Sequence, residues 1–112
     1  IQTSTGLQYE GLRRGFGDTP NINDKVEIHY HGELVDGSVF DSSYDRGQPV
    51  TGKVSQFILG WTEALQLMTE GGKYKLYVPS DLAFGEQGAG GGAVPPHAIL
   101  ITELELIKVI PQ

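Results

Sequence analysis

The sequence predicts an α+β domain in which a twisted antiparallel sheet packs against one short helix. Three observations predict it. Apolar residues recur at every second position in several separate stretches, one stretch alone repeats at helical spacing, and Gly, Asp and Pro clusters fall between them. A sheet with one apolar face and a helix with one apolar stripe have to cover each other, so two layers are the economical arrangement.

The elements follow in chain order. Leu7 to Leu12 is the weakest strand candidate. Val26, Ile28 and Tyr30 then share one face of a strand whose other face carries Glu27, His29, His31 and Glu33, the alternation of a half-buried strand, and Tyr30 is expected to point inward. Asp36 and Gly37 mark the turn after it, and Gly47 with Pro49 mark another. The helical signal is Trp61, Ala64, Leu65 and Met68, spaced i, i+3, i+4, i+7, with Gly71 and Gly72 placed to end it. Tyr74, Leu76 and Val78 alternate with Lys73, Lys75 and Tyr77 in a strand stopped by Pro79. After the glycine-rich stretch from Gly85 to Pro96, Leu100, Thr102, Leu104 and Leu106 share a last inward face, while Glu103 and Glu105 mark the solvated one.

Composition bounds the function. At 112 residues the chain is one domain, 1–112, with a single core and no internal repeat. A net charge of -6 without any Lys/Arg run argues against nucleic acid as a partner, and no apolar run is long enough for membrane insertion. The absence of cysteine rules out a disulfide scaffold and a thiolate nucleophile, and it suits either an oxidising or a reducing compartment. The opening Ile1-Gln2-Thr3-Ser4-Thr5 lacks the pattern of a leader. The expectation is an excised domain with residues 1–5 the remnant of an upstream linker, or else a mature cytosolic protein.

Several motifs fail in their context. Gly88, Gly90 and Ala93 spell G-x-G-x-x-A, yet Pro95 and Pro96 follow where a dinucleotide-binding fold needs a helix. His29 and His31 could chelate a metal, but no third ligand with suitable spacing is nearby, and they read as solvated strand histidines beside Glu27 and Glu33. There is no G-x-S-x-G elbow and no Walker lysine, so neither covalent catalysis nor a cofactor finds a candidate. What remains is a set of aromatic and apolar residues, Tyr30, Phe40, Phe57, Ile58, Trp61 and Phe84, with the carboxylate of Asp41. Such a set can build an apolar pocket for chemistry that needs a dry surface and no bond breaking.

Those residues arrive in a known order. V-E-I-H-Y-H-G-E-L-V-D-G-S-V-F-D-S-S-Y-D from Val26, I-L-G-W-T-E-A-L-Q-L-M from Ile58, A-F-G from Ala83 and V-P-P-H-A from Val94 resemble the FKBP-type peptidyl-prolyl cis-trans isomerases, from about Gly6 to Val109. Within that family the chain is most similar to the catalytic domain of the bacterial macrophage infectivity potentiator type.

The resemblance implies a five- to six-stranded antiparallel half-barrel wrapped around one short helix, and a cofactor-free enzyme that rotates X-Pro bonds and assists folding. It makes Trp61 the pocket floor, Tyr30 and Phe40 walls, Phe57 and Ile58 the rim, and Asp41 the carboxylate beside Phe40. Phe84 joins the catalytic set, and Val50, Val94 and Thr102 the substrate-binding one. The Ile58 backbone amide is implied to bind a ligand carbonyl. Partners implied are proline-containing polypeptides and tacrolimus- or rapamycin-like macrolides. The isolated domain is expected to be a monomer, with a homodimeric parent joined through an N-terminal region, in a bacterial cell envelope or the cytoplasm. The competing class is a binding module that grips proline segments or macrolides with little turnover.

Three departures from the family pattern stand out. Phe84 replaces the Tyr of A-Y-G and loses a hydroxyl, Thr102 replaces a pocket-facing Phe, and Gly52-Lys53-Val54 replaces F-P-V, from which a more open rim is expected on that side.

Overall fold

The computed structural model describes residues 2–85, 94, 95 and 97–110. Gly88, Gly90, Ala93 and Pro96 therefore lie outside the described residues. The sheet consists of β1 (Gln8–Arg13), β2 (Lys25–Leu34), β3 (Val39–Ser42), β4 (Val50–Lys53), β5 (Lys73–Val78) and β6 (Leu100–Ile110), and every pairing is antiparallel. Its order is β1-β5-β6-β2-β3, and β4 pairs with β2 off that path. A short α1 (Ser43–Arg46) follows β3, and α2 (Leu59–Leu65) lies against the sheet.

Alternation decides which side faces the core. Val26, Ile28, Leu76, Val78, Leu100, Leu104 and Leu106 are fully buried together with Ala64, Leu65 and Met68 of the helical layer. Tyr30 is 7% exposed and points inward. Gly60 permits the close approach of α2, since a Cβ there would lie 2.5 Å from Val78 Cγ1.

The helix ends earlier than its spacing suggests. Past Leu65 the chain tightens into i to i+3 hydrogen bonds, Gln66 N–H to Glu63 O and Leu67 N–H to Ala64 O, and Met68 still reaches the core. Gly71 and Gly72 do not cap the helix. Gly71 takes a φ of +93° and donates to Leu106 O at 2.7 Å, while Leu106 N–H donates to Gly72 O at 3.0 Å, so the pair joins the chain to β6.

The strand β2 positions the site. Along one edge it pairs with β6 throughout; along the other it pairs with β4 up to Ile28 and with β3 from His31 onward. At the changeover the buried Ser43 Oγ accepts the Tyr30 N–H at 2.7 Å and donates to Tyr30 O at 3.3 Å, taking the place of a neighbouring strand. The wedge between β3 and β4 opens there.

Candidate active site

The wedge holds a cleft of about 220 Å³ lined by Tyr30, Phe40, Asp41, Gln56, Phe57, Ile58, Trp61 and Phe84. Seven of these eight are residues that the sequence singles out. A larger hollow of about 330 Å³ lies where β1 meets β5, lined by Gln8, Tyr9, Glu10, Gly11 and Tyr77.

Trp61 enters from the first half of α2 and is 7% exposed. The Tyr30 ring lies 4.7 Å from it at 52°, and the Phe57 ring lies 6.1 Å away at 44°. Phe40 and Phe84 meet edge to face at 6.4 Å. Phe40 is the unpaired residue of a β-bulge, because Gly32 opposes Asp41 while Glu33 opposes Val39. The bulge turns its ring across β2, where Gly32 leaves room: a Cβ there would lie 2.4 Å from Phe40 Cζ.

Asp41, the one carboxylate among the described residues that line the cleft, is engaged through both oxygens. Asp41 Oδ2 accepts from Tyr30 Oη at 2.5 Å, and Arg46 Nη1 pairs with Asp41 Oδ1. Arg46 Nη2 also donates to Tyr30 Oη at 2.9 Å, and its guanidinium carbon sits 5.6 Å from the Tyr30 ring centroid. Burial, and after it the hydrogen bond to Asp41, raises the Tyr30 phenol above its ordinary 10.0 against the opposing pull of Arg46. Tyr30 is therefore a neutral donor at physiological pH. Asp41, held between a phenol and a guanidinium, is arranged to orient charge.

The rim is fastened by Thr62, whose Oγ1 donates to Val54 O at 2.9 Å and to Phe57 O at 3.2 Å. Ile58 is the N-cap of α2, and its carbonyl accepts the Thr62 N–H.

Three named residues stand apart from the cleft lining. Thr102 is fully buried on β6 opposite Gly32 and Leu76, and its Oγ1 has no hydrogen-bond partner among the described residues. Val94 is 4% exposed within the core, and Val50 lies half-buried opposite Ile28. Nor is the space at Gly52 left open: the Phe57 ring covers it, with Cζ 3.1 Å from where a Cβ would be.

The histidines differ from the solvated pair expected of them. Both face away from the core, yet His29 Nδ1 lies 2.8 Å from Ser43 Oγ with its ring stacked 4.5 Å from Tyr44, and His31 contacts Ser42 Oγ at 3.2 Å and Glu33 Oε2 at 2.8 Å. Among the described residues no three His, Cys, Asp or Glu side chains are grouped to hold a metal.

Arg46, Gln56, Ser43 and Gly32 escape the sequence reading. A signal existed for Arg46: Ser42-x-x-Asp45 is a helix-start spacing, and Ser42 Oγ accepts the Asp45 N–H at 3.3 Å. The others act through contacts that only the bulge and the wedge create.

Comparison with known proteins agrees with this architecture. Residues 17–107 match the family described as FKBP-type peptidyl-prolyl cis-trans isomerase. The chain is 48% identical to the macrophage infectivity potentiator of Trypanosoma cruzi over 97% of its own length and 56% of that protein's. It is 48% identical to the FKBP-type peptidyl-prolyl cis-trans isomerase FkpA of Aeromonas hydrophila over 96% of its length and 39% of that protein's. The crystal structure of FkpA from Escherichia coli superposes with a TM-score of 0.94 at 41% identity, covering 99% of this chain and 51% of that one. The structure of AtFKBP13 gives 0.90 at 34% identity, covering 96% and 95%. This chain thus spans about half the length of the potentiator and less of the Aeromonas protein.

Proposed function

The chain belongs to the FKBP-type peptidyl-prolyl cis-trans isomerase family, and on that premise we propose that its cleft accelerates rotation about X-Pro bonds in polypeptides by holding the twisted amide. Resonance sets the barrier to that rotation at about 18–20 kcal/mol, and in water the uncatalysed X-Pro exchange takes roughly tens to hundreds of seconds. The planar amide is the more polar form, because the resonance that stiffens it also separates charge. Twisting removes that separation. Water therefore favours the ground state, and an apolar cleft favours the transition state, which is differential binding. Every tenfold in rate corresponds to about 1.4 kcal/mol of such preference.

The observation that carries this reading is the convergence of Tyr30, Phe40, Phe57, Phe84 and Trp61 on one cleft in which the carboxylate of Asp41, the one among the described lining residues, is already paired. Desolvation is supported here by that specific lining. In this mechanism the prolyl ring seats on Trp61, the Ile58 N–H takes a carbonyl, and Asp41 acts through its field and its hold on Tyr30. No proton is transferred.

The same cleft is offered for tacrolimus- or rapamycin-like macrolides, with Phe84 unable to supply a hydroxyl to them. Val50, Val94 and Thr102, which do not line the cleft, are assigned to the substrate-binding set through the core they share with it. A monomer in solution is part of the proposal: Glu103, Glu105, Lys73 and Lys75 occupy the outward face, and Arg13–Glu105 and Lys73–Glu103 pair there. Protease-free isomerisation of a Leu-Pro peptide by wild type and Trp61→Leu tests the reading. Catalysis by the wild type and a loss of at least about tenfold in a folded Trp61→Leu variant are expected. Wild-type binding without turnover would leave the binding-module alternative.

A further inference from the structure

We infer that Gly52 and Phe57 act as a coupled pair that sets which residue beside the proline the cleft accepts, an inference that rests on the isomerase reading above. No residue of β4 lines the cleft; the nearest wall comes from Phe57, on the far side of a 3₁₀ turn (Val54–Gln56) from Gly52. The Phe57 ring tip rests on the bare Cα of Gly52: a Cβ there would meet Cζ at 3.1 Å, Cε2 at 3.6 Å and Cε1 at 3.7 Å. The first distance is tighter than ordinary contact, so any side chain at 52 has to displace the ring by a few tenths of an ångström.

The ring, and not the backbone, is what can yield. Phe57 O accepts from Thr62 Oγ1, Phe57 N–H donates to Val54 O at 3.4 Å, and Gln56 Oε1 ties the turn to the Lys53 N–H at 3.0 Å. Gly52 itself is held opposite Val26 in the β4–β2 ladder. Displacement is therefore directed away from β4, toward the cleft and Trp61. Tyr30 and Phe40, on the β3 side of the wedge, are not among the nearest atoms to position 52. A prolyl ring seated on Trp61 leaves its neighbour's side chain to meet Phe57, so the pair governs that neighbour's size and leaves the floor intact.

The test compares kcat/KM for Ala-Pro, Leu-Pro and Phe-Pro peptides among wild type, Gly52→Ala, Phe57→Val and the double variant. In Gly52→Ala the Phe-Pro to Ala-Pro ratio should fall about threefold, less than the roughly tenfold that a whole methylene is worth in an apolar pocket. Phe57→Val alone should move the ratio the other way, a result that stands even if Gly52→Ala folds poorly. In the Phe57→Val background Gly52→Ala should change it by less than about 1.5-fold, the non-additivity of side chains in contact. An equal loss on all three peptides, or independent multiplication of the two effects, would overturn the pairing. A wild type inactive on every peptide would instead defeat the isomerase reading; the pair would then be judged by quenching of Trp61, the chain's one tryptophan, during titration with the same peptides. A shifted Kd ratio supports it there, and an unshifted one removes it.

Discussion

Replacing Gly32 by alanine should damage the cleft from behind. The new Cβ would stand 2.4 Å from Phe40 Cζ and 2.5 Å from Cε1. Ordinary carbon contacts begin near 3.5 Å, so the ring has to retreat by about 1 Å. Gly32 cannot give way, being paired with both Asp41 and Thr102, whereas Phe40 sits on the bulge of the edge strand β3 and can. Overpacking costs about 1–3 kcal/mol, and the half-buried Phe40 places this case near 1–2. Lower chain entropy in the unfolded state returns roughly 0.5–1 kcal/mol. A net loss of about 1 kcal/mol lowers Tm by roughly 4 °C in a domain of this size. The activity loss should be larger than that stability loss implies, about tenfold in kcat/KM on a Leu-Pro peptide, because Phe40 leaves its place against Phe84 and the cleft. Thermal melting and protease-free isomerisation, measured on the same preparation, give the two numbers. Adding Phe40→Leu should recover Tm but not activity. A Gly32→Ala protein with wild-type rate and melting would refute the claim that Phe40 must lie across Gly32.

Tyr30→Phe keeps the ring on Trp61 but removes the donor to Asp41 and the acceptor for Arg46. With Asp41 and Arg46 partly exposed, a stability loss of about 0.5–1.5 kcal/mol and a rate loss of about three- to tenfold should appear in denaturant titration and kinetics. An unchanged rate would mean that the orientation of Asp41 is immaterial. Thr102→Val replaces a buried hydroxyl that has no partner among the described residues by a methyl of similar shape, and should raise stability by about 1 kcal/mol in the same titration; destabilisation would show that the hydroxyl is satisfied in solution. Burial opposes ionisation of Glu105, but the Tyr44 hydroxyl and Arg13 outweigh it and hold the carboxyl below its ordinary 4.5. A depressed folded-state value adds stability above the unfolded value and loses it as pH falls through the folded one, so Glu105→Gln should flatten the acid limb of stability below about pH 4.5 and leave the neutral region's slope alone. An unchanged acid limb would exclude Glu105 from it.

Much of the architecture is legible from periodicity alone, because Val26 to Gly32 of β2, Leu76 to Val78 of β5 and Leu100 to Leu106 of β6 are buried at every second residue and a strand's faces follow from its spacing. β3 and β4, at four residues each, are too short to repeat a pattern, and α1 offers a single turn. The end of α2 is misread for a physical reason: 3₁₀ turns carry Met68 to the core as an extended helix would, so burial spacing does not distinguish them. In the cleft, Trp61, Tyr30 and Asp41 are legible as an ordered set of residue types. Arg46 is hidden because its partners lie five and sixteen positions away, brought near by a bulge and one helical turn. Gly32 and Gly52 are hidden because their contribution is the absence of a side chain, which has meaning only once the rings above them are placed.

In the mechanism proposed above the cleft rotates X-Pro bonds by desolvation and shape, without moving a proton. The pH profile of kcat/KM between about 5.5 and 8 on a Leu-Pro peptide tests it most directly, since a general acid or base such as histidine would titrate in that range. Clear acceleration over the uncatalysed exchange and a profile flat within about twofold are expected, with Tyr30 neutral throughout. A bell-shaped or sigmoidal profile centred near neutrality in a protein that stays folded would contradict it.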